Sequence, residues 1–438
     1  MFDKSIPITN LAVEPLASVP KSPTPEQRLY RIVEEGLCTG CGLCQSIAGP
    51  ETIRVRTQPT GYKRPAVVGQ LTDATVDRIY QVCPGINISL DKSTEQDERQ
   101  DLIWGQQVCS VMAWAAQPDV RFRASTGGVM TGVAQYLIAS DEVDFVLHVK
   151  ASETEPAFGE RQLSFTDADV IEASGSRYGP AAPLIDIGKL LDRGQPFAFI
   201  GKPCDVSALN NYARYDSRVD QLVRYRLAVV CGGYLTPESF NGFLEESGVP
   251  RSELNRIRYR GNGCPGPVEI ENKRGEVFLR SYNDFWGEGE TNWSIPFRCK
   301  ICPNGIGEGA DIAAADSWPD CQVDSETEQD DPGHNAVIIR SNKGERLMQR
   351  AVTAGFITQG EMISPRDLDY FQPHQVNKKQ AAKARIEALQ EEGGLGINCE
   401  GLRLNQAAGL QDQSFYIHQK EGTRRRYLAG DADEPVPV

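Results

Sequence analysis

The stretch PFAFIGKPCDVSAL (196–209) joins an apolar run to Gly-Lys-Pro-Cys, which predicts a buried strand running into a loop. The run RYRLAVVCGGYL (224–235) repeats this form and also has a cysteine after the strand. Segments of the same alternating region predict another strand and several helices: DFVLHVKAS (144–152), VMTGVAQYLIAS (129–140), DIGKLLDRG (186–194) and PESFNGFLEESG (237–248). Strands that alternate with helices favour a mixed or parallel sheet flanked by helices, so we predict an α/β fold that is α+β overall.

Outside this region the chain changes character, and its 438 residues exceed what one ordinary core accommodates. The predicted divisions are an N-terminal arm (1–28), a small ferredoxin-like cluster domain (29–100), a main mixed-sheet domain (101–376), and a C-terminal helix and tail (377–438). The hydrophilic stretch STEQDERQ (93–100) is the expected linker. The end of the chain, GTRRRYLAGDADEPVPV (422–438), is expected to be flexible.

Bulk composition argues against several classes of protein. A net charge of −14 disfavours a nucleic-acid-binding surface, so we expect no nucleic acid partner. No segment approaches the roughly 18 apolar residues of a membrane span, so no membrane is expected either. The first residues, MFDKSIPITNLAVEPL, lack the basic and apolar regions of a secretory leader, and we expect a cytoplasmic protein. Thiols stay reduced there, so twelve cysteines indicate metal or redox chemistry rather than disulfides.

The run CTGCGLCQSIAGP (38–50) spaces Cys38, Cys41 and Cys44 at intervals of three residues. Thiolates suit iron–sulfur clusters and zinc, and the glycines between them let the loop curl and direct N–H groups at sulfides. A fourth ligand is expected to be a cysteine followed by proline, and Cys83 in VCPG is the next cysteine along the chain. We predict that these four residues bind one 4Fe-4S cluster. A zinc knuckle or buried unligated cysteines are the alternatives, although zinc sites usually come as two Cys-x2-Cys pairs.

A second set of cysteines follows the predicted strands. Cys204 and Cys231 stand at carboxyl ends of strands, where open α/β sheets bind ligands, and Cys299 and Cys302 form a Cys-x2-Cys pair. Spacing alone leaves open whether they form a second cluster site, a redox pair or core cysteines. Cys264 in GNGCPG is either a competing ligand that replaces Cys231 or a free thiol near the site. The remaining cysteines, Cys109, Cys321 and Cys399, lack partners at ligand spacing and are expected to be small buried hydrophobes.

Two glycine-rich segments bear on nucleotide binding. GNGCPG (261–266) satisfies Gly-x-Gly-x-x-Gly, but a hairpin-like segment follows it instead of a helix, so the dinucleotide fingerprint is unsupported. In RASTGGVMTGVAQYLI (123–138), Ser125, Thr126 and paired glycines come directly before a helix. Such a turn exposes N–H groups at the positive end of the helix and can hold an anion or a pyrophosphate. An ordinary N-cap with a flexible turn is the alternative.

An ordered set of motifs over residues 120–390 resembles the beta subunits of coenzyme F420 (deazaflavin) hydrogenases and dehydrogenases. The motifs are ASTGGVMTGVAQYLI, SGSRYGPA, GKPCDVSAL, VVCGG, CKIC followed by GADIA, and the late KKQAAKARIEAL. Residues 29–90 resemble the cluster-binding extension of ferredoxin-dependent members, such as 7-hydroxymethyl chlorophyll a reductase and divinyl chlorophyllide reductase. The segment SRYGPAAPL (176–184) departs from the Lys-Pro-Thr stretch of those chlorophyll-pathway members, which argues against a chlorophyll-type substrate.

The resemblance implies FAD and a second 4Fe-4S cluster, bound by Cys204, Cys231, Cys299 and Cys302. It also implies that the following residues bind FAD: Ser125, Thr126, Gly127, Gly128, Thr131, Ser176, Arg177, Tyr178, Asn262 and Gly263. Arg177 stands where the family has lysine, so a planar fork replaces a point charge.

The predicted function is an iron–sulfur flavoprotein oxidoreductase that passes electrons from ferredoxin or a similar donor through two clusters to FAD and a small organic acceptor. Tyr178, Arg177 and His148 are the candidate catalytic proton donors, with ordinary packing roles as the alternative. One alternative function is an electron-transfer beta subunit of a multisubunit hydrogenase or dehydrogenase. Another is a non-catalytic iron–sulfur carrier or redox sensor. The oligomeric state stays open between a homo-oligomer and a subunit bound to a partner.

Overall fold

The computed structural model describes residues 23–90, 100–287, 293–323 and 331–438. The expected linker and most of the expected N-terminal arm therefore lie outside the described residues.

The first described unit is a small α/β layer that carries the cysteine run. Its elements are α1 (Pro25–Glu34), α2 (Leu43–Ala48), β1 (Ile53–Thr57), β2 (Lys63–Val67) and α3 (Asp73–Val82). Thr24 caps α1 with a reciprocal capping box, and Pro25 follows at the first helical position, where its missing N–H has no cost. The two strands pair antiparallel, with Val55 opposite Pro65. Leu29, Ile53 and Ile79 bury their side chains between helix and hairpin.

The remaining elements form the main body and the C-terminal helices. The strands are β3 (Cys109–Ala115), β4 (Phe145–Ala151), β5 (Gly159–Ser164), β6 (Phe197–Gly201), β7 (Val223–Val229), β8 (Leu254–Arg258), β9 (Val268–Asn272), β10 (Val277–Arg280), β11 (Ile312–Asp316), β12 (Asn335–Ile339) and β13 (Ile357–Ile363). The helices are α4 (Pro118–Arg123), α5 (Val129–Ala139), α6 (Asp167–Glu172), α7 (Ile187–Leu191), α8 (Pro203–Ala213), α9 (Arg218–Leu222), α10 (Pro237–Glu246), α11 (Tyr282–Trp286), α12 (Phe297–Lys300), α13 (Asn342–Thr353), α14 (Pro365–Phe371), α15 (Pro373–Glu391), α16 (Leu404–Ala408) and α17 (Gln413–Leu428).

Within the described ranges, the largest sheet has eight strands in the order β13-β3-β12-β11-β7-β6-β4-β5. Its centre is parallel, because β4, β6, β7 and β11 run the same way, and the other pairings are antiparallel. The predicted mixed sheet with flanking helices is confirmed. The parallel strands are short and apolar, as expected of strands covered on both faces. Their carboxyl ends meet at one edge, which positions the site described below.

A smaller antiparallel sheet, β10-β9-β8, stands beside the large one. It accounts for the turn-rich segment that follows α10, and its core is largely aromatic, with Phe240, Phe243, Tyr259 and Phe285 buried together. This satellite core supplies one wall of the functional cavity.

The C-terminal segment packs against the rest of the chain, so the expectation of a flexible end is wrong. GTRRRYL lies in α17, where Arg424 pairs with Glu391 and Glu392 at 2.6 and 2.7 Å. The residues after α17 return to the N-terminal unit, where Glu434 pairs with the buried Arg64 at 2.6 Å. The sequence shows no apolar period here because ionic contacts hold the helix in place.

Helix α15 is anchored by a buried ion network. Lys379 of α15 and Arg403 both pair with Glu308, and all three side chains are buried. The network ties the C-terminal helices to the loop that follows Cys302. Among the described residues, no helix combines the length and apolar character required to cross a membrane.

Candidate functional site

The four cysteines predicted for the first cluster lie around one small apolar cavity in the N-terminal unit. Cys38 and Cys41 lie on the loop before α2, Cys44 lies in α2, and Cys83 caps the end of α3. The loop turns tightly because Gly40 and Gly42 have φ values of 68° and 89°, which favour glycine. The predicted ligands are therefore neighbours, although nearly forty residues separate the last two.

Backbone N–H groups face the sulfur atoms of this site. Gly40 donates toward Cys38, Leu43 toward Cys41, and Gly85 and Ile86 toward Cys83. Burial raises the pKa of the Cys83 thiol to about 12, so the thiolate form needs a nearby positive charge such as bound iron. Thiolates with N–H donors around them are the environment in which iron–sulfur clusters are held. The donor set fits a cluster.

The second set of cysteines also comes together. Cys204 is in the first turn of α8 after β6, Cys231 follows β7, and Cys299 lies in α12 with Cys302 just beyond it. Electrostatic contact links Cys231 with Cys204, Cys299 and Cys302. Burial raises the pKa of Cys299 to about 12, which again calls for a positive charge beside the thiolate. Cys264, the competing ligand, instead accepts a bond from Trp318 Nε1 at 3.4 Å.

A single metal ion would need its ligands arranged around one point. In the part of the chain that the structure describes, no three His, Cys, Asp or Glu side chains are arranged around one metal ion. The four thiolates of a cluster bind different iron atoms and need not meet at one point, whereas zinc draws its ligands to about 2.3 Å.

Arg298 connects the two cysteine sets. Its Nε donates to the carbonyl of Gly85 and its Nη2 to that of Pro84, each at 2.9 Å, and the residue is only 4% exposed. The residues on either side of this contact are Cys83 of the first set and Cys299 of the second. Asp205, next to Cys204, also lies in the electrostatic environment of Cys41. The two sets are thus neighbours across a short, buried contact.

A cavity of about 870 Å³ opens beside the second set, at the carboxyl ends of β6, β7 and β11. Cys231 belongs to its lining as well as to the cysteine set. Of the residues predicted to bind the cofactor or to transfer protons, eight line it: Ser125, Thr126, Gly128, Thr131, His148, Ser176, Arg177 and Tyr178. The volume is within the range of small-molecule and cofactor sites.

The other predicted cofactor residues support the lining from behind. Gly127 packs against the backbone of His334, where a β-carbon would approach within 2.6 Å of its Cα. Asn262 donates from its side chain to Glu269, and the N–H groups of Asn262 and Gly263 both donate to the carbonyl of Phe122. Ser125 and Ser176 meet directly, because the N–H of Ser176 donates to Ser125 Oγ at 2.5 Å. The two predicted flavin loops therefore share one wall.

The three candidate proton donors have different surroundings. Arg177 donates to the carbonyls of Pro156, Phe158 and Ile257, so its guanidinium holds backbone together. His148 Nε2 bonds Ser164 Oγ at 2.7 Å, and burial lowers the pKa of His148 to about 4. Tyr178 keeps its hydroxyl near Arg260 Nη1, at 3.4 Å. These roles stay predictions.

Sequence reasoning missed the ion pair at the base of the cavity. Arg260, 4% exposed, donates to both oxygens of Asp316 at 2.9 and 3.0 Å and to Thr126 Oγ1 at 2.9 Å. Its guanidinium also stacks over Tyr282 and Trp318. Asp316 ends β11, three residues beyond the GADIA motif, and this strand-end position was the available indication.

The chemistry of the lining fits a large, planar cofactor with hydrogen-bond acceptors. Trp286 and Trp293 line the cavity, and the buried Nε1 of each has no hydrogen-bond partner among the described residues. Helix α5 begins at the lining with Gly128 as N-cap; the N–H of Val129 donates to Asn335 Oδ1 at 3.3 Å, and the positive end of the helix still favours an anionic group. Aromatic walls, indole donors and a helix N-terminus would suit the ring system and the pyrophosphate of FAD.

Comparison with known proteins agrees with this arrangement. The model "Coenzyme F420 hydrogenase/dehydrogenase, beta subunit N-term" matches residues 110–188, and the corresponding C-terminus model matches residues 194–364. Together they cover more than half of the chain. The chain belongs to the coenzyme F420 hydrogenase/dehydrogenase beta-subunit family. The resemblance inferred from the sequence is thereby confirmed for this family, and the cysteine run at 38–44 lies before the matched residues.

Two relatives from Methanocaldococcus jannaschii are distant oxidoreductase homologues of this family member. The chain is 25% identical to the F420-dependent formate dehydrogenase subunit beta over 260 residues, covering 56% of this chain and 60% of the relative. It is 20% identical to the coenzyme F420-dependent sulfite reductase over 338 residues, covering 74% and 47%. The chain thus spans about half to three fifths of these relatives' length.

A solved structure shares the fold. A chain of the F420-reducing nickel–iron hydrogenase complex from Methanosarcina barkeri superposes with a TM-score of 0.52 at 17% identity. The match covers 68% of this chain and 98% of that chain.

Proposed function

We propose that this protein is an iron–sulfur flavoprotein oxidoreductase that takes electrons from ferredoxin or a similar donor and delivers them to a small organic acceptor. The observation that carries the proposal is the continuity of three sites. Cys83 of the first set is joined through the Pro84–Gly85 carbonyls to Arg298, beside Cys299 of the second set. Cys231 of the second set lines the cavity.

Each site has a role in the proposed route. Cys38, Cys41, Cys44 and Cys83 would hold one 4Fe-4S cluster, and Cys204, Cys231, Cys299 and Cys302 would hold the other. FAD, when bound, exchanges single electrons with clusters and electron pairs with organic molecules. Burial of the Arg298 contact excludes water between the two cysteine sets and fixes the loop that carries Cys83. The route therefore runs through ordered, desolvated protein.

The chain's own residues would bind FAD through three features. The Ser125–Gly128 turn offers N–H groups at the start of α5 to a pyrophosphate. Tyr178, Tyr282 and the tryptophans of the wall offer aromatic surface to the ring system. The Arg260–Asp316 pair holds Thr126 in position from below. Arg177, whose guanidinium is occupied by carbonyls, would shape the Ser176–Tyr178 loop.

Anaerobic purification with cofactor quantification tests the proposal. Two clusters and one flavin predict about eight iron atoms, eight sulfides and one FAD per chain. Addition of reduced ferredoxin is expected to reduce the clusters and then bleach the flavin absorbance. Protein that binds iron and sulfide but no flavin would instead be a carrier or sensor. Zinc in place of iron would contradict both.

The second candidate is an electron-transfer subunit of a larger oxidoreductase. It is favoured by the relatives, one of which is a formate dehydrogenase subunit beta. A stable partner that co-purifies with the tagged protein at unit stoichiometry would support this function. Turnover of the isolated protein with reduced ferredoxin and an acceptor would favour the self-sufficient reductase. A cytoplasmic location is part of either proposal, since a reducing compartment would keep the twelve cysteines available for metal and redox chemistry.

A further inference from the structure

A thiol and an imidazole face each other in the wall of the large cavity. Cys321 Sγ lies 3.5 Å from His374 Nδ1, within hydrogen-bonding distance for sulfur. Both residues line the cavity, on the segment after β11 and at the start of α15. The expectation that Cys321 is merely a small buried hydrophobe is therefore incomplete, since it has a polar partner. His374 was not among the predicted site residues.

The neighbouring amide determines which ring nitrogen carries the proton. Gln375 Nε2 donates to the carbonyl of Cys231 at 3.0 Å, which fixes its NH₂ group on that side. The same NH₂ lies 3.2 Å from His374 Nε2, which must then be the acceptor. The remaining proton is on Nδ1 and points at the sulfur of Cys321. Trp293 packs its ring against the imidazole, with ring centres 5.5 Å apart, and holds its plane.

We propose that Cys321 is the proton donor of the cavity and that His374 is the residue that positions its sulfur and stabilises the thiolate. This inference rests on the proposed function, because it requires a reduced flavin in the same cavity as the reductant. It goes beyond that function by assigning the residue that transfers a proton to the acceptor. The acceptor class is an organic molecule with a polarised double bond.

The proposed reaction is the two-electron reduction of a double bond, with Cys321 as the source of the proton. FAD, when bound in its reduced form in this cavity, would supply a hydride equivalent to one atom of the double bond. The other atom forms a bond to hydrogen as the Cys321 S–H bond breaks, and that electron pair stays on sulfur. The thiolate accepts a hydrogen bond from His374 Nδ1–H, and water entering the cavity returns the proton. The acceptor gains two electrons and two hydrogens.

Among the described residues, charged and titratable groups approach the pair from several elements, and Asp320, next to Cys321, lines the same cavity. Asp316 on β11 and Lys378 on α15 face His374, and Tyr282 on α11 faces Cys321. Burial lowers the pKa of His374 to about 3, so the imidazole is neutral over the working pH range. A neutral imidazole can donate from Nδ1 throughout that range. By comparison, Arg177 is occupied by backbone carbonyls, His148 bonds Ser164, and the Tyr178 hydroxyl lies beside Arg260. Cys321 differs from these three because an imidazole stands ready to stabilise its deprotonated form.

Alkylation of the holoprotein by iodoacetamide, followed by peptide mass spectrometry, tests the pair. The rate at Cys321 is measured against pH in the natural protein, His374→Phe and His374→Asn. Phenylalanine keeps a ring but removes the donor, whereas the asparagine amide can still donate. We expect the midpoint pH to rise by about one unit in the phenylalanine variant, with alkylation about tenfold slower at neutral pH. The asparagine variant should regain most of that rate.

Controls separate this inference from the proposed function. Cys109, half-buried at the start of β3 and outside the cavity lining, provides the internal reference thiol and should have the same profile in all three proteins. An unchanged Cys321 midpoint in His374→Phe, with FAD and iron still bound, would overturn the thiol–imidazole pair and leave the proposed function standing. Absence of FAD from the natural protein would overturn both. Restoration by His374→Asn would support the pair, and its failure to restore would count against it.

Discussion

Replacement of Arg298 by methionine should loosen the contact between the two cysteine sets. The side chain keeps its apolar stem but loses the guanidinium that donates to the Pro84 and Gly85 carbonyls at 2.9 Å. At 4% exposure, the site gives water little access to these two oxygens. An unsatisfied buried polar group costs about 1–3 kcal/mol, so the local loss is about 2–6 kcal/mol. These two hydrogen bonds therefore stabilise the folded conformation of the loop that carries Cys83.

Hydrogen exchange measures this loss at the loop. Ile86 and Asn87 donate their N–H groups to the Cys83 carbonyl, and Ile88 donates to that of Asn398. If the free energy of opening this loop falls by about 2 kcal/mol, exchange at these amides becomes about 30-fold faster in the Arg298→Met protein. Iron bound by the first cysteine set should also become more accessible to chelators. Arg340→Met is the matched control, because Arg340 donates to the carbonyls of Trp104, Gln106 and Ile306. Unchanged exchange at 86–88 in Arg298→Met would refute the bridging role.

Three further changes have expected outcomes. Asp316→Asn leaves the buried Arg260 guanidinium without this counter-charge, so we expect FAD to dissociate more easily. The measurement is the release of flavin on dilution of the protein. Retention of FAD with the affinity of the natural protein would contradict the role of the Arg260–Asp316 pair. Glu308→Gln removes the carboxylate that the buried Lys379 and Arg403 share and should cost about 3–5 kcal/mol by urea unfolding. The control Glu392→Gln, which removes a more exposed pair with Arg424, should cost less than about 1 kcal/mol, and equal costs would contradict the anchoring role of Glu308. Burial lowers the pKa of His148 to about 4, so the contribution of this residue to stability is present above about pH 6.5 and is lost as pH falls toward 4. The difference in unfolding free energy between the natural protein and His148→Asn should therefore change by up to about 3 kcal/mol between these pH values. A difference that does not change with pH would refute this expectation.

The alternating region of the fold follows from local sequence. Apolar runs at 145–151, 197–201 and 223–229 are strands, and the segment from Val129 is a helix, as their patterns predict. The loop expected after β6 is almost absent, because Pro203 begins α8 directly and proline is favoured at a first helical position. The C-terminal helix α17 could not be predicted from apolar period, since ion pairs and polar hydrogen bonds join it to α15.

The cysteine sets show where sequence is sufficient and where it is not. The Cys-x2-Cys-x2-Cys spacing and the Cys-Pro of residues 83–84 indicate one site because short loops constrain where thiols can go. The approach of Cys231 to Cys299 and Cys302 depends on how the loop after β7 meets α12, which is a long-range contact. Arg260, Asp316 and His374 carry no motif at all. They became evident only when three distant strands and α15 were brought to one cavity.

The iron content of two single variants, one from each cysteine set, most directly tests the claim that the chain binds two separate clusters. The measurement is iron, acid-labile sulfide and FAD per chain in the natural protein, Cys41→Ser and Cys302→Ser, all purified anaerobically. The account predicts about eight iron atoms in the natural protein and about four in each variant, with FAD unchanged in Cys41→Ser. Equal iron content in the natural protein and Cys41→Ser, or joint loss of all iron and FAD in that variant, would contradict two separate clusters in this chain.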